Sequence, residues 1–385
     1  MNKNENNSCG TDSPSRKKGG AKYCSIGGQA LLEGIMMKSP ARVAMAVRRP
    51  DGKIQVTESE YTPLTKKKKW YSWPIVRGCI AFYESIKGGM ESMTYSTTAL
   101  GEIEEEPSKF EVWLSKKLGK SIESIVFGVA MLLGLALAIG LFVMLPAFLG
   151  KLIAGDSASP FVINLIEGAV RIVILVGYMA SMNFIKDIKR VFMYHGAEHK
   201  TIATYEAGMA LTVENVKTHS RFHPRCGTNY LFLVAFISIL FYSLVGFTGH
   251  WAIKTLLKIA LLPVVAGASY EVLKAAAKSD SLLCRIVRWP GMMLQRITTR
   301  EPDDSMMEIA ITAFELALNP GEYLAAHPEL IVTDAKGNVI GNEAESEKDA
   351  VSSEREETAQ AQAAPYAAAP GIAAASLPGS DEKTV

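Results

Sequence analysis

"IESIVFGVAMLLGLALAIGLFVMLPAFL", residues 122–149, contains a single charged residue, Glu123, next to its start. As a helix rising about 1.5 Å per residue it extends roughly 40 Å, longer than the ~30 Å hydrocarbon core of a bilayer. One such run would fit inside a large soluble protein, but three more follow it. They cover residues 161–185, 230–247 ("YLFLVAFISILFYSLVGF") and 252–272, the last carrying Lys254, Lys258 and Glu271. Four transmembrane helices are therefore expected, in a mainly α, polytopic membrane protein. In the second run Glu167 and Arg171 are spaced i to i+4, which predicts an ion pair on one helix face.

Lysine and arginine set the expected orientation. Lys66 to Lys69, Lys116, Lys117 and Lys120 precede the first run. Lys186, Lys189, Arg190, Lys200, Lys217, Arg221 and Arg225 lie between the second and third, and Arg285, Arg288, Arg296 and Arg300 follow the fourth. The 150–160 connection holds only Lys151. A multi-pass protein of the cell membrane with both termini and the central loop in the cytoplasm is expected. A net charge of +2 over 385 residues argues against a dedicated nucleic-acid binder, so the lipid bilayer is the expected partner. Self-association is compatible with all of this. Five widely spaced cysteines without a CxxC pair do not form a disulfide framework and suit a reducing compartment.

Residues 1–21 have no apolar core and are expected to be a disordered arm rather than a signal peptide. Residues 22–120 predict a small cytoplasmic α+β region. Within it "RVAMAVRRPDGKIQVTESEY" alternates around Pro50-Asp51-Gly52, which predicts a β-hairpin, and "WPIVRGCIAFYESIKGGMESMTYS" has helical spacing with Pro74 near its start. "KKKKW", Lys66 to Trp70, suits anionic headgroups. The four-helix membrane region is expected over 121–272, with a His-rich loop at 186–229. Residues 273–322 predict cytoplasmic helices, one opened by a capping box of Ser305 with Glu308 and closed at Asn319-Pro320-Gly321. Residues 323–385, rich in Ala, Glu, Ser and Pro, are expected to be a disordered tail.

"YHGAEHKT", residues 194–201, lies where the second run leaves the membrane and is expected to continue as helix. His195 and His199 then share a face, with Glu198 on its flank. This is the H-x-x-E-H arrangement, the inverse of the zinc-protease motif, in which two neutral imidazoles hold zinc and the glutamate acts as general base. Five residues alone would more often be a solvated helical turn. The same loop also supplies "THSRFHPRCGTNY", with His219, His223, Arg225 and Cys226, so that four of the six histidines fall between 195 and 223. His195, His199, His223 and Cys226 are the expected ligands of a divalent metal, zinc first and iron second. The alternative is that these residues cap helices and meet headgroups.

Glu271, at the end of the fourth run, is a further candidate ligand by analogy with enzymes carrying the inverted motif. Its plainer reading is a helix-end carboxylate paired with Lys274. "SIGGQALLEGIMM", residues 25–37, lacks both phosphate-loop and dinucleotide fingerprints and is expected to form a tight turn on the hairpin, leaving Glu33 as a candidate acid.

Taken together, "GGQALLEGIMMKSP", "AVRRPDG", "YHGAEHKTIATYEAG", "HPRCGTNYLF", "LLPVVAGASYEVLK" and "PGMMLQRITTREPDDSMMEIAI" resemble the bacterial YqhQ family, domain of unknown function 1385, over about residues 23–318. The resemblance implies an integral membrane protein and a metal-dependent enzyme, without naming a substrate. It carries over to His195, Glu198, His199, His223, Arg225 and Cys226, with Glu33 and Glu271. The expected function is a membrane-embedded, hydrolase-like enzyme with Glu198 as base and Arg225 holding an anionic group. The alternative is a non-enzymatic scaffold or transport protein in which the metal is a structural staple.

Overall fold

The computed structural model describes residues 26–101, 122–155, 158–245, 251–277 and 281–340. The N-terminal arm, Lys116, Lys117, Lys120 and most of the C-terminal tail lie outside them.

The hairpin expected around Pro50-Asp51-Gly52 is formed by β3 (Arg42–Arg48) and β4 (Ile54–Glu60). Gly52 takes a φ of 86°, and Asp51 accepts the Lys53 N–H at 3.0 Å. The glycine-rich segment before it forms a second hairpin, β1 (Gly27–Leu31) and β2 (Gly34–Lys38), turning at Leu32 and Glu33. These strands run antiparallel in sequence order, and β5 (Ile331–Val332) adds to β4 in parallel. The start of the tail therefore moves beyond 323. Leu330 and Ile331 are buried, and the Thr333 N–H is donated to the Val56 carbonyl, so sheet pairing holds this stretch.

Both sheet faces are covered. Ile35, Met37, Ala44, Ala46 and Val56 face α5 (Lys186–Glu206) and α10 (Asp304–Leu318), where Tyr194, Ala197, Met306, Ile309 and Phe314 are buried. Leu31, Met36, Met45 and Val47 face Tyr95 and Ala99 at the end of α1 (Val76–Ala99). The two-residue alternation of the strands serves both cores at once. The cap of α10 differs from the expected box. Asp303 is the N-cap and accepts the Met306 N–H at 3.0 Å, because the helix begins ahead of Ser305, and Glu308 is drawn to Arg48 of β3 at 2.6 Å.

The described parts of the four apolar runs are helical apart from residues 183–185. α2 (Ile122–Ile139) passes through a π turn (Gly140–Met144) into α3 (Leu145–Ala154), whereas α4 (Pro160–Met182) and α8 (Trp251–Ala277) are each one continuous helix. Among the described residues, three segments are long and apolar enough to cross a membrane: Gly128–Ala154, Pro160–Met182 and Ile253–Ala276. The third apolar run lies on α7 (Thr228–Val245), of which Thr228–Ser243 is a shorter apolar helix among the described residues. α4 does not run on into the histidine helix. It ends at Met182, and Ile185 is extended before α5 starts anew. Asn183 fills the break, donating to the Ile297 carbonyl at 3.1 Å and accepting from Arg300 at 2.7 Å.

Glu167 and Arg171 are both buried, but they do not pair with each other. Glu167 pairs with Lys258 of α8, which is 3% exposed. Arg171 donates to the Phe142 carbonyl in the π turn at 2.9 Å and to Ser238 Oγ of α7 at 2.6 Å. Spacing on one helix identified the shared face, but the partners came from the neighbouring helices.

Removing one partner of a buried pair costs about 3–5 kcal/mol, because the other charge stays buried alone. Lys258→Met is accordingly expected to lower the thermal unfolding midpoint in detergent micelles, and adding Glu167→Gln to recover part of the loss. A single variant as stable as the wild type would show that the pair does not brace the bundle.

Candidate functional site

α5 brings His195, Glu198 and His199 to a common region because helical residues three and four apart are neighbours. The segment after α6 (Val213–Lys217) delivers Cys226 opposite them, and α9 (Leu282–Thr298) closes a third side. One donor atom each from His195, His199 and Cys226 lie within 4.8 Å of one another.

The backbone settles both ring tautomers. His195 Nδ1 stands 2.8 Å from the Thr298 carbonyl oxygen, and His199 Nδ1 stands 2.6 Å from that of Arg221. A carbonyl only accepts, so each Nδ1 carries a proton, which leaves Nε2 as the nitrogen turned to the cluster. His195 Nε2 lies 3.1 Å from Cys226 Sγ. His199 Nε2 is fully buried with no hydrogen-bond partner among the described residues. Burial pushes the His199 imidazole below its usual range, with the Cys226 sulfur opposing it, so the ring is held neutral. Two imidazoles and a thiol this close together could hold a metal ion, and Nδ1-to-carbonyl bonds are what orient histidine ligands.

Glu198 is buried on the sheet side, where its Oε1 accepts the Gly28 N–H of β1 at 3.0 Å. A Cβ at Gly28 would lie 2.9 Å from the Glu198 carboxyl carbon, so glycine there lets the strand reach the acid. Burial pushes the Glu198 carboxyl above its usual range, while His195, His223 and the Gly28 N–H pull it back. Such a group holds its proton more readily than an exposed carboxylate.

The remaining candidates lie elsewhere. His223 Nε2 faces Glu206 at 3.4 Å, and its ring centroid lies 5.7 Å from that of His199. Its backbone is clamped by Gln295, which accepts the His223 N–H at 2.9 Å and donates to its carbonyl at 2.8 Å. Arg225 pairs with Glu206. His219 packs its Nδ1 among Thr204, Thr218 and the Asn215 carbonyl. Glu271 is drawn to Arg77 of α1. Glu33, at a φ of 50° in the β1–β2 turn, is gripped by Arg190 and accepts the Tyr194 hydroxyl at 3.2 Å, tying the hairpin to α5. Cys79, Cys226 and Cys284 are free thiols.

Thr298, Gln295 and Gly28 were not legible as site residues. Thr298 and Gly28 act through their backbone, Gln295 holds the backbone of His223, and all three are remote in sequence. Gly196 did carry a signal. A glycine inside a helix costs roughly 0.5–1 kcal/mol relative to alanine, so its presence points to a close approach. The Arg300 carbonyl lies where a Cβ at Gly196 would stand.

A mainly helical chain with three membrane-length helices, a small covered sheet and a His–Cys cluster is the class these features define. Residues 73–320 match the model of a family described as protein of unknown function (DUF1385), and the chain belongs to that family. It is 33% identical over 293 residues to the uncharacterized protein YqhQ of Bacillus subtilis (strain 168), a match covering 75% of this chain and 91% of the relative. No solved structure matches. His195 to Thr298 lie inside the family segment, whereas Gly28 precedes it.

Gly196→Ala is expected to destabilise the protein by about 1–3 kcal/mol through overpacking. Gly177→Ala, at a helical glycine with nothing within 4 Å of its added Cβ, is the control and should be neutral or mildly stabilising. Thermal unfolding of both variants checks this, and equal midpoints would remove the close-approach argument.

Proposed function

We propose that the chain is a membrane-embedded, metal-dependent enzyme of hydrolase type, with its site at the cytoplasmic membrane interface. The observation that carries this reading is the buried His199 Nε2, aimed without a partner at the place where His195 Nε2 and Cys226 Sγ converge. An unmatched buried polar atom costs about 1–3 kcal/mol, and a bound cation would remove that cost. His195, His199 and Cys226 would hold the ion, and their mixed N and S donors favour zinc, with iron second. A bound zinc ion would supply Lewis acidity to an oxygen of the substrate.

The chain's own residues do the rest. Three protein donors leave a coordination position open, as catalytic sites require. Glu198, buried and steadied by Gly28, would take a proton from the attacking water and pass it to the leaving group. Thr298 and Arg221 hold the rings in register through their carbonyls. Arg225 would meet an anionic substrate group only by exchanging Glu206 for it. The membrane arrangement proposed with this has four spans, α7 being one of them, and both termini in the cytoplasm. It is supported by the lysine and arginine content flanking the apolar runs. Reporter fusions should then be active in the cytoplasm after Leu318 and outside it near Gly155. The opposite pattern would reverse the orientation, and matching activity at both points would rule out this pairing of spans.

A second reading, a non-enzymatic scaffold or transport protein with a metal staple, is favoured by the nearness of the His223 ring, which could complete a four-ligand structural site. Two variants separate the readings. Purified wild type is expected to carry about one zinc or iron per chain, and His195→Ala with His199→Ala to lose it. Equal metal content would refute these ligands. Glu198→Gln should retain metal and fold yet fail to complement a deletion strain at matched protein level, since loss of a general base typically removes roughly 10²–10⁴-fold in rate. Full complementation by Glu198→Gln alongside failure of His199→Ala would replace the enzyme with the staple.

A further inference from the structure

α9 has two unlike halves. Leu282, Leu283, Ile286 and Trp289 are 58–72% exposed, although they are the largest apolar side chains of its first two turns. Gly291, Leu294, Gln295 and Thr298, further along, are buried. At 100° per residue, Leu282, Leu283 and Ile286 form one apolar face with Trp289 at its edge; Arg285 and Arg296 flank Trp289, and Arg288 falls on the other side. The seventeen residues contain no Asp or Glu. Water-facing surfaces rarely show such a contiguous apolar stripe with nothing to cover it.

Two observations say what covers it. First, α9 follows directly on α8, whose segment Ile253–Ala276 is long and apolar enough to cross a membrane, so its stripe begins where that helix ends. Second, the same end of α8 receives α1, with Gly78 against Gly267 and Arg77 against Glu271. The approach to α1 exposes Trp70 and Trp73, and α1 itself Phe82, Tyr83 and Ile86, next to Lys66 to Lys69. Tryptophan and tyrosine beside lysine and arginine, with apolar residues on the opposite face, is the composition of a helix lying in the interface of an anionic membrane.

We propose that α9 lies in the anionic headgroup layer of the membrane that α8 enters, and that this docking positions one wall of the histidine site. The link is covalent and short. The half of α9 beyond Trp289 carries Gln295, which clamps the His223 backbone from both sides, and Thr298, whose carbonyl sets the His195 tautomer. Only Pro290 and Gly291 join the two halves, so docking of the first half limits where Gln295 and Thr298 can lie. The inference rests on the membrane reading above and not on the metal.

The test uses the full chain in nanodiscs of phosphatidylcholine, with and without phosphatidylglycerol. Tryptophan emission is quenched either by lipids brominated on the acyl chain or by aqueous acrylamide. The difference between wild type and Trp289→Phe isolates Trp289. That residue is expected to be quenched by the brominated lipid, more so with phosphatidylglycerol, and shielded from acrylamide. Arg285→Gln with Arg288→Gln should shift docking by about 30-fold towards the undocked state at low salt, taking about 1 kcal/mol per basic residue near an anionic surface. It should also speed amide hydrogen exchange at residues 221–226 and 295–300. Quenching of Trp289 by acrylamide alone would overturn the proposal. Shielding from both quenchers would overturn it in favour of a second copy covering the stripe. Indifference to phosphatidylglycerol and to the arginine changes, or reversal by inorganic phosphate alone, would overturn the anionic-lipid assignment. Unchanged exchange in the arginine variant would overturn the coupling to the site. No readout uses the metal, so failure here leaves the metal proposal standing, and loss of metal binding leaves this one standing.

Discussion

Gly196 meets the backbone carbonyl of Arg300, and the seating of α5 depends on that contact. The Arg300 N–H is donated to the Phe192 carbonyl at 2.8 Å, so the segment leaving α9 is laid directly along α5. On the opposite side α5 presses against β1 closely enough for Glu198 to take the Gly28 N–H. A side chain at Gly28 or Gly196 would move the helix away from one neighbour or the other. With both glycines present, one helix turn is held between a strand and an extended chain, and its histidines point into the space that remains.

That space is polar by construction. The Nδ1 atoms of both histidines are spent on backbone carbonyls of two different segments, Thr298 and Arg221, so neither ring can turn without breaking a hydrogen bond. Lys200, the next residue of α5, is also buried and pairs with Glu301, which keeps its charge away from the imidazoles. Glu206, at the end of the same helix, engages Arg225 and His223. The charges around the cluster are thus matched in pairs, while the cluster itself keeps one imidazole nitrogen unmatched.

The helical bundle follows the same rule with different partners. Where a charge or amide is buried among apolar helices, it is met from another helix. Glu167 finds Lys258, Arg171 finds the π-turn carbonyl and Ser238, and Asn164 donates to the Tyr242 carbonyl at 2.7 Å. These contacts join α4 to α7, α8 and the π turn, where apolar packing alone would fix their rotation only loosely. α9 connects this bundle to the sheet region, one half beyond the membrane-length helix and the other against the histidines.

Local features were legible in the sequence because their causes are local. Apolar runs of membrane length, the Pro50-Asp51-Gly52 turn, the helix ending at Asn319 and the clustering of four histidines in one loop are all readable from neighbours a few residues apart. His195, Glu198 and His199 share a helix turn by spacing alone, and a cysteine downstream in the same loop completes a recognisable donor set. Pairing across long separations was not readable. Nothing in one helix says that Glu167 will meet a lysine 91 residues away instead of the arginine one turn on. Nor does the spacing of His223 and Cys226 say that the thiol will reach His195 while the imidazole turns to Glu206. The strand that steadies Glu198 lies 170 residues before it, and the carbonyl that sets the His195 tautomer lies 103 residues after it. Such contacts arise only when the chain is packed, because hydrogen-bond partners inside a fold are selected by distance in space. The sequence by itself determined which residues could act; the tertiary structure decided which of them face one another.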